Sequence, residues 1–155
     1  MLRISQADYD LIRWEAERRY PLECCGILLG TAYVGCREVS LTVMCENAGL
    51  DPQRRYSILP EQLIATLKLA RSRHENIIGF YHSHPDRDPH FSPTDLAEAN
   101  YFQHSYVITG VRQGRAMGTE SFVLTGSEED RQFEPEEIRI TSRRTPLPRL
   151  VNHAE

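Results

Sequence analysis

The apolar run from Asn76 to Tyr81 constrains the fold most, because it leads without a break into His82-Ser83-His84-Pro85. A short continuous apolar run reads as a buried strand, and this one ends in titratable side chains. Side chains alternate faces along a strand, so His82 and His84 point the same way. Cys24 to Leu29, closed by Gly30, reads as a second buried strand, and the alternating Glu38 to Cys45 as a third. Tyr106 to Thr109 and Ala116 to Leu124 read as further strands, split by Gly110 to Gly114, and Glu137 to Thr141 as an edge strand.

Helices interleave with these strands. Ser5 is a natural N-cap with Asp8 three residues on, and Ile4 and Tyr9 occupy the positions of a hydrophobic staple. That helix spans Ser5 to Arg19, and Pro21 stops it. Pro60 opens a second helix to about Ser72, with Leu63, Ile64, Leu67 and Ala70 on one face. Ser92 opens a third, to about Phe102. Between them lie a polar connection, Asn47 to Pro60, with a short strand at Tyr56 to Ile58, and a loop, Asp86 to Phe91. Glu128 to Glu137 is acidic and reads as exposed. The fold class is α/β (α+β), a mixed central sheet flanked by helices.

A length of 155 residues fits one domain, expected over residues 1–141. Residues 142–155, rich in Arg and Pro, are expected to form a flexible tail. The net charge of −4 argues against a nucleic-acid partner. No apolar run approaches the roughly 18–20 residues that span a membrane, and the first residues lack the apolar core of a cleaved signal. The four cysteines form no CxxC pair, and Cys24 and Cys25 read as small buried residues. A reducing, cytoplasmic setting is expected.

Two imidazoles on one side of a strand make half of a tetrahedral zinc site, and a catalytic zinc needs a third protein ligand and an open position. Asp95 is the best-placed third ligand. Ser92-Pro93-Thr94-Asp95 is equally a complete helix start, with an N-cap, a proline at N1 and an acid at N3. Capping explains Ser92 and Asp95 without a metal, and exposed loop histidines would explain His82 and His84. A metallo-β-lactamase motif would need a third histidine where Arg87 stands. A cupin would need a Glu three or four residues after His84. An amidohydrolase would need a much longer barrel.

His82-Ser83-His84-Pro85, a spacer of six residues, Ser92, two residues and Asp95 resemble the signature of the JAMM (MPN-plus) metalloproteases. Glu23-Cys24-Cys25-Gly26 supplies the upstream Glu and Gly of that signature. The resemblance runs from about Ser5 to Leu124. It implies the JAMM/MPN (cytidine-deaminase-like) architecture, with one Zn2+ held by His82, His84 and Asp95. It implies Glu23 as the general base and Ser92 as the oxyanion donor. Arg54, Arg55 and Tyr56 look like a stretch that lines the substrate groove in small stand-alone bacterial members.

The resemblance implies hydrolysis of an amide or isopeptide bond. The short chain after Leu124 is similar to the compact prokaryotic branch, whose members trim ubiquitin-like β-grasp sulfur-carrier proteins after their C-terminal Gly-Gly. They release cysteine or a short extension, as in cysteine biosynthesis. The alternatives are a deconjugating isopeptidase for another ubiquitin-like protein and a non-catalytic MPN-type scaffold. Nothing in the chain reports its oligomeric state.

Overall fold

The computed structural model describes residues 1–142. Its elements are β1 (Leu2–Ser5), α1 (Gln6–Arg19), β2 (Cys25–Tyr33), β3 (Cys36–Cys45), α2 (Pro60–Ser72), β4 (Asn76–Pro85), α3 (Pro93–Glu98), β5 (Ser105–Arg112), β6 (Arg115–Gly126), β7 (Arg131–Glu136) and β8 (Ile138–Thr141). The strands form one mixed eight-stranded sheet in the order β7-β6-β5-β4-β2-β3-β1-β8. The expected fold class is the one observed. The strand that carries the histidines lies inside the sheet, antiparallel to β2 and parallel to β5.

Alternation along the inner strands divides the core between the two faces. Ile27, Leu29, Phe80 and Ile108 share one apolar cluster with Ala70 of α2. Leu28, Tyr81 and Val107 share the other with Ile12 and Ala16 of α1. Each of these large side chains, fully buried, contributes about 1.5–3 kcal/mol. Both faces are thus covered, which is why β2 and β4 read as continuous apolar runs rather than alternating ones.

Local chemistry sets the helix ends. The Ser5 hydroxyl accepts the Asp8 N–H at 3.0 Å, the expected N-cap of α1. Pro60 sits in the first turn of α2, where its missing N–H costs nothing.

Several expectations are corrected. Leu2 to Ser5 is a strand, too short to show a period, and it runs parallel to both β3 and β8. Tyr56 to Ile58 is not a strand, because the Asn47 side chain bonds the backbone of Gly49, Arg55 and Ser57 and folds this connection onto itself. The third helix ends at Glu98, not Phe102. Beyond it the Tyr101 N–H turns to the Tyr106 hydroxyl, and the Gln103 N–H to the Leu124 carbonyl. Gly110 to Gly114 does not split two strands: β5 continues to Arg112, and the turn is Gln113-Gly114, both at positive φ (48° and 80°). Glu128 to Glu137 is not all exposed, since it contains β7. There Phe133 is 8% exposed, and Glu136 accepts hydrogen bonds from Ser121 and Arg37. The edge strand after Glu137 is found as expected, at Ile138–Thr141.

The tail expected over 142–155, with Arg143, Arg144, Arg149 and His153, lies outside the described residues except for Ser142. No described helix is long and apolar enough to cross a membrane.

Candidate metal centre

The last turns of β4 carry the histidines inward, not into an exposed loop: His82 is 1% exposed and His84 2%. His82 is paired with Cys25 of β2 and Ile108 of β5, and His84 with Gly110. Their Nε2 atoms face one another at 3.2 Å. Asp95 completes the group, with Oδ1 3.2 Å from His82 Nε2 and Oδ2 3.0 Å from His84 Nε2.

Asp95 occupies N3 of α3, as the helix-start pattern requires. The Ser92 hydroxyl accepts the Asp95 N–H at 3.1 Å, and the Asp95 carboxylate accepts the Ser92 N–H at 2.8 Å. This capping box and the approach to the histidines use the same carboxylate. The two explanations of Ser92 and Asp95 therefore coexist: the cap aims the carboxylate. Burial opposes ionisation of Asp95, yet hydrogen bonds from His82, His84 and the Ser92 N–H together hold its carboxyl far below the usual range. Burial pushes the His82 imidazole down, against the pull of Asp95.

The donor set fits a zinc ion. Two imidazole nitrogens and a carboxylate converge at 3.0–3.2 Å, and corners of a tetrahedron with bonds of about 2.0–2.1 Å are roughly 3.3 Å apart. His84 Nδ1 lies 2.8 Å from the Asp88 carbonyl, which turns Nε2 into the centre. The His82 ring is held differently: Tyr56 stacks on it, with centroids 4.5 Å apart and planes 24° from parallel.

Glu23 precedes β2 and is 1% exposed. Its backbone is fixed on both sides, with N–H to the Pro52 carbonyl at 2.7 Å and C=O accepting from the Asn47 amide at 3.1 Å. Its carboxylate comes within 4.8 Å of the ligand atoms of both His82 and His84. Burial pushes the Glu23 carboxyl up to about 8, with Arg87 pulling the other way from 3.7 Å.

The structure thus brings Glu23, His82, His84, Ser92 and Asp95 together. Of the expected groove residues, Tyr56 lies against His82 and lines a cavity of about 300 Å3 that also touches Asp95. Arg54 lines a smaller cavity beside Arg87. Arg55 is drawn into an exposed pair with Glu98 at 3.4 Å. The sequence reading missed Ser83, Arg87 and Asn47. Ser83 accepts the Cys24 N–H, and its place between the two histidines was the available signal. Asn47 gave no recognisable signal, because its bonds to Gly49, Arg55, Ser57 and Glu23 follow no regular spacing and form only when the connection folds back. His90 remains exposed, as expected, beside Glu120. Cys24 and Cys25 are buried free thiols, and burial raises both well above the ordinary thiol range.

Comparison with known proteins agrees with this geometry. The profile described as prokaryotic homologs of the JAB domain matches residues 5–125. A protein of Haloferax volcanii called desampylase is 34% identical over 88 residues, 57% of this chain and 62% of that protein. The matched segment thus spans less than two thirds of that relative. The solution structure of a Salinibacter ruber protein is 31% identical, covers 95% of both chains and superimposes with a TM-score of 0.69. That of a Desulfitobacterium hafniense protein shares the fold at 22% identity and a TM-score of 0.79, over 92% of this chain and 94% of that one. With the motif residues gathered in one buried centre and the profile covering most of the chain, this protein belongs to the prokaryotic branch of the JAB-domain family.

Proposed function

We propose that the protein is a zinc metallopeptidase that hydrolyses the amide or isopeptide bond after the C-terminal Gly-Gly of a ubiquitin-like β-grasp protein. Within that class we propose a sulfur-carrier protein as substrate, with cysteine or a short extension as the group released. The observation that carries the reading is the convergence of His82, His84 and Asp95 at 3.0–3.2 Å with Glu23 buried beside them. Bound by those three side chains, zinc would supply Lewis acidity, lowering the pKa of water towards about 7 and polarising a carbonyl.

The protein's own groups do the rest. Glu23, buried within reach of the ligand atoms of His82 and His84, takes a proton from the attacking water when its carboxylate is ionised. The water oxygen bonds to the carbonyl carbon, the C–N bond breaks, and Glu23 returns the proton to the departing amine. The Ser92 hydroxyl accepts the Asp95 N–H and keeps its own hydrogen free to donate to the oxyanion. The reading includes one catalytic domain over residues 1–141 and a cytoplasmic setting, the latter supported by free cysteines.

The relative called desampylase favours a second reading, an isopeptidase for another ubiquitin-like modifier. A non-catalytic scaffold is the weakest, because it has no use for a buried Glu23 beside three converging ligands.

The test is intact-mass spectrometry of a Gly-Gly-ending β-grasp carrier extended by one residue, incubated with zinc-loaded protein. Loss of the extension mass, absent with Glu23→Gln at full zinc occupancy, is the expected result. One zinc per chain without cleavage would remove the carrier and leave the isopeptidase reading. Failure to bind zinc would leave the scaffold.

A further inference from the structure

Beyond β4 the chain turns sharply at Asp86, whose φ of 53° and N–H bond to the Val111 carbonyl fix the next residue. That residue is Arg87. Its Nη2 stands 3.7 Å from Glu23 Oε2, outside hydrogen-bond range. Both atoms are buried, and neither has a hydrogen-bond partner among the described residues. A buried N–H without a partner is costly, and a guanidinium fork is shaped to take a carboxylate through two parallel bonds. Arg87 thus carries an unused donor beside the candidate base.

Arg87 also forms one wall of a cavity of about 280 Å3, shared with Pro21, Gln53, Arg54, Pro85 and Asp86. That volume is near the lower end for small-ligand sites, about 300 Å3. Arg54 has no ion pair among the described residues. Asp86, the acid on the wall, is already engaged by the Tyr20 hydroxyl and the Gln113 N–H. The cavity therefore presents two cations and no idle anion, and Arg87 connects it to Glu23.

We propose that Arg87 and Arg54 form a carboxylate subsite on the leaving-group side of Glu23, so that the group released is an α-amino acid or short peptide with a free C-terminal carboxylate. The inference rests on the hydrolytic reading above. In that reading Glu23 hands its proton to the departing amine. In an α-amino acid one carbon separates the amine from the carboxylate, so a carboxylate leaving Glu23 lies within reach of a guanidinium 3.7 Å away. A lysine side-chain amine carries no such charge beside it. The subsite therefore selects trimming of a carrier's own C-terminus over release from a lysine of a folded protein.

Two measurements test this. In the first, zinc-loaded Glu23→Gln protein is titrated calorimetrically with acetyl-Gly-Gly-Ala and with its C-terminal amide. The free acid is expected to bind at least tenfold more tightly. Arg87→Gln in that background should bring the ratio below about twofold, Arg87→Lys should keep part of it, and Arg54→Gln should reduce it. Equal binding of acid and amide, or a preference that survives both arginine changes, overturns the subsite. Arg54 is exposed, so its variant keeps the test sound if Arg87→Gln unfolds.

In the second, wild-type protein is given a Gly-Gly carrier extended by alanine as the free acid or as the amide. Faster cleavage of the acid, lost in Arg54→Gln, supports the subsite. Equal cleavage removes the subsite and keeps the hydrolase. Cleavage of neither, with the binding preference intact, removes the hydrolase and keeps the subsite.

Discussion

The hydroxyl of Ser83 accepts the backbone N–H of Cys24 at 2.8 Å, while the Ser83 N–H returns a bond to the Cys24 carbonyl at 3.2 Å. The residue between the two histidines thus ties their strand to the residue after Glu23. Ser83→Ala leaves a buried N–H unsatisfied, which costs about 1–3 kcal/mol. The imidazoles remain on β4, so zinc stoichiometry should hold while turnover falls through a displaced Glu23. Ser83→Thr should restore most of both. Denaturant unfolding, metal analysis and rate measurement on the three proteins check this. An unchanged midpoint in Ser83→Ala would show that water replaces the hydroxyl.

Gly26, the last residue of the Glu-x-x-Gly motif, lies under the ring of Tyr81. A methyl group placed there would overlap the ring. Tyr81 cannot simply withdraw, because its hydroxyl donates to Glu15 of α1 at 2.5 Å and it is fully buried. Gly26→Ala should therefore cost about 1–3 kcal/mol, the usual penalty for overpacking, and lower the melting temperature. Because Tyr81 immediately precedes His82, zinc affinity should fall as well. A metal titration with and without the substitution decides whether the clash stays local.

Ser92→Ala separates capping from catalysis. Losing the hydroxyl that accepts the Asp95 N–H should cost about 1 kcal/mol. The Ser92 N–H still donates to the Asp95 carboxylate, so zinc binding should survive. If the hydroxyl also donates to the oxyanion, kcat should fall by about 10²–10³ with little change in KM. A stability loss with kcat intact would leave Ser92 as a cap alone.

Much of this arrangement is legible in the chain because its signals are local. The apolar run ending in His82 and His84, the cap at Ser92 and the proline that opens α2 each act within a few residues, and the structure keeps all three. What was not legible depends on distant partners. Phe133 looks solvent-facing among acids until β7 pairs with β6 and places it against Phe91 and Phe122. Tyr56 reads as the start of a short strand until His82 arrives beneath it. Arg87 reads only as the residue that breaks a metallo-β-lactamase motif until Glu23, far upstream, is brought beside it. The choice of Glu23 among the acids came from the motif resemblance, and its burial supplies the physical reason afterwards.

Glu15 provides a pH test remote from the metal centre. It lies on α1, 2% exposed, facing Tyr81, with Arg18 and Arg19 on its own helix and Cys24 beneath. Burial raises its carboxyl above the ordinary 4.5, only partly offset by the Tyr81 hydrogen bond and the two arginines. The folded protein therefore holds this proton to a higher pH than the unfolded chain does. Stability from this group is complete below about pH 4.5 and is lost as pH rises through the folded value. Tyr81 and Cys24 are themselves pushed to high values and do not titrate in that interval. Glu15→Gln stays neutral and still offers an oxygen to the Tyr81 hydroxyl. Its stability relative to wild type should therefore increase from pH 4 to pH 8. Urea unfolding of both proteins across that range reads the difference directly, and parallel curves would mean that Glu15 ionises as freely in the fold as in the unfolded chain.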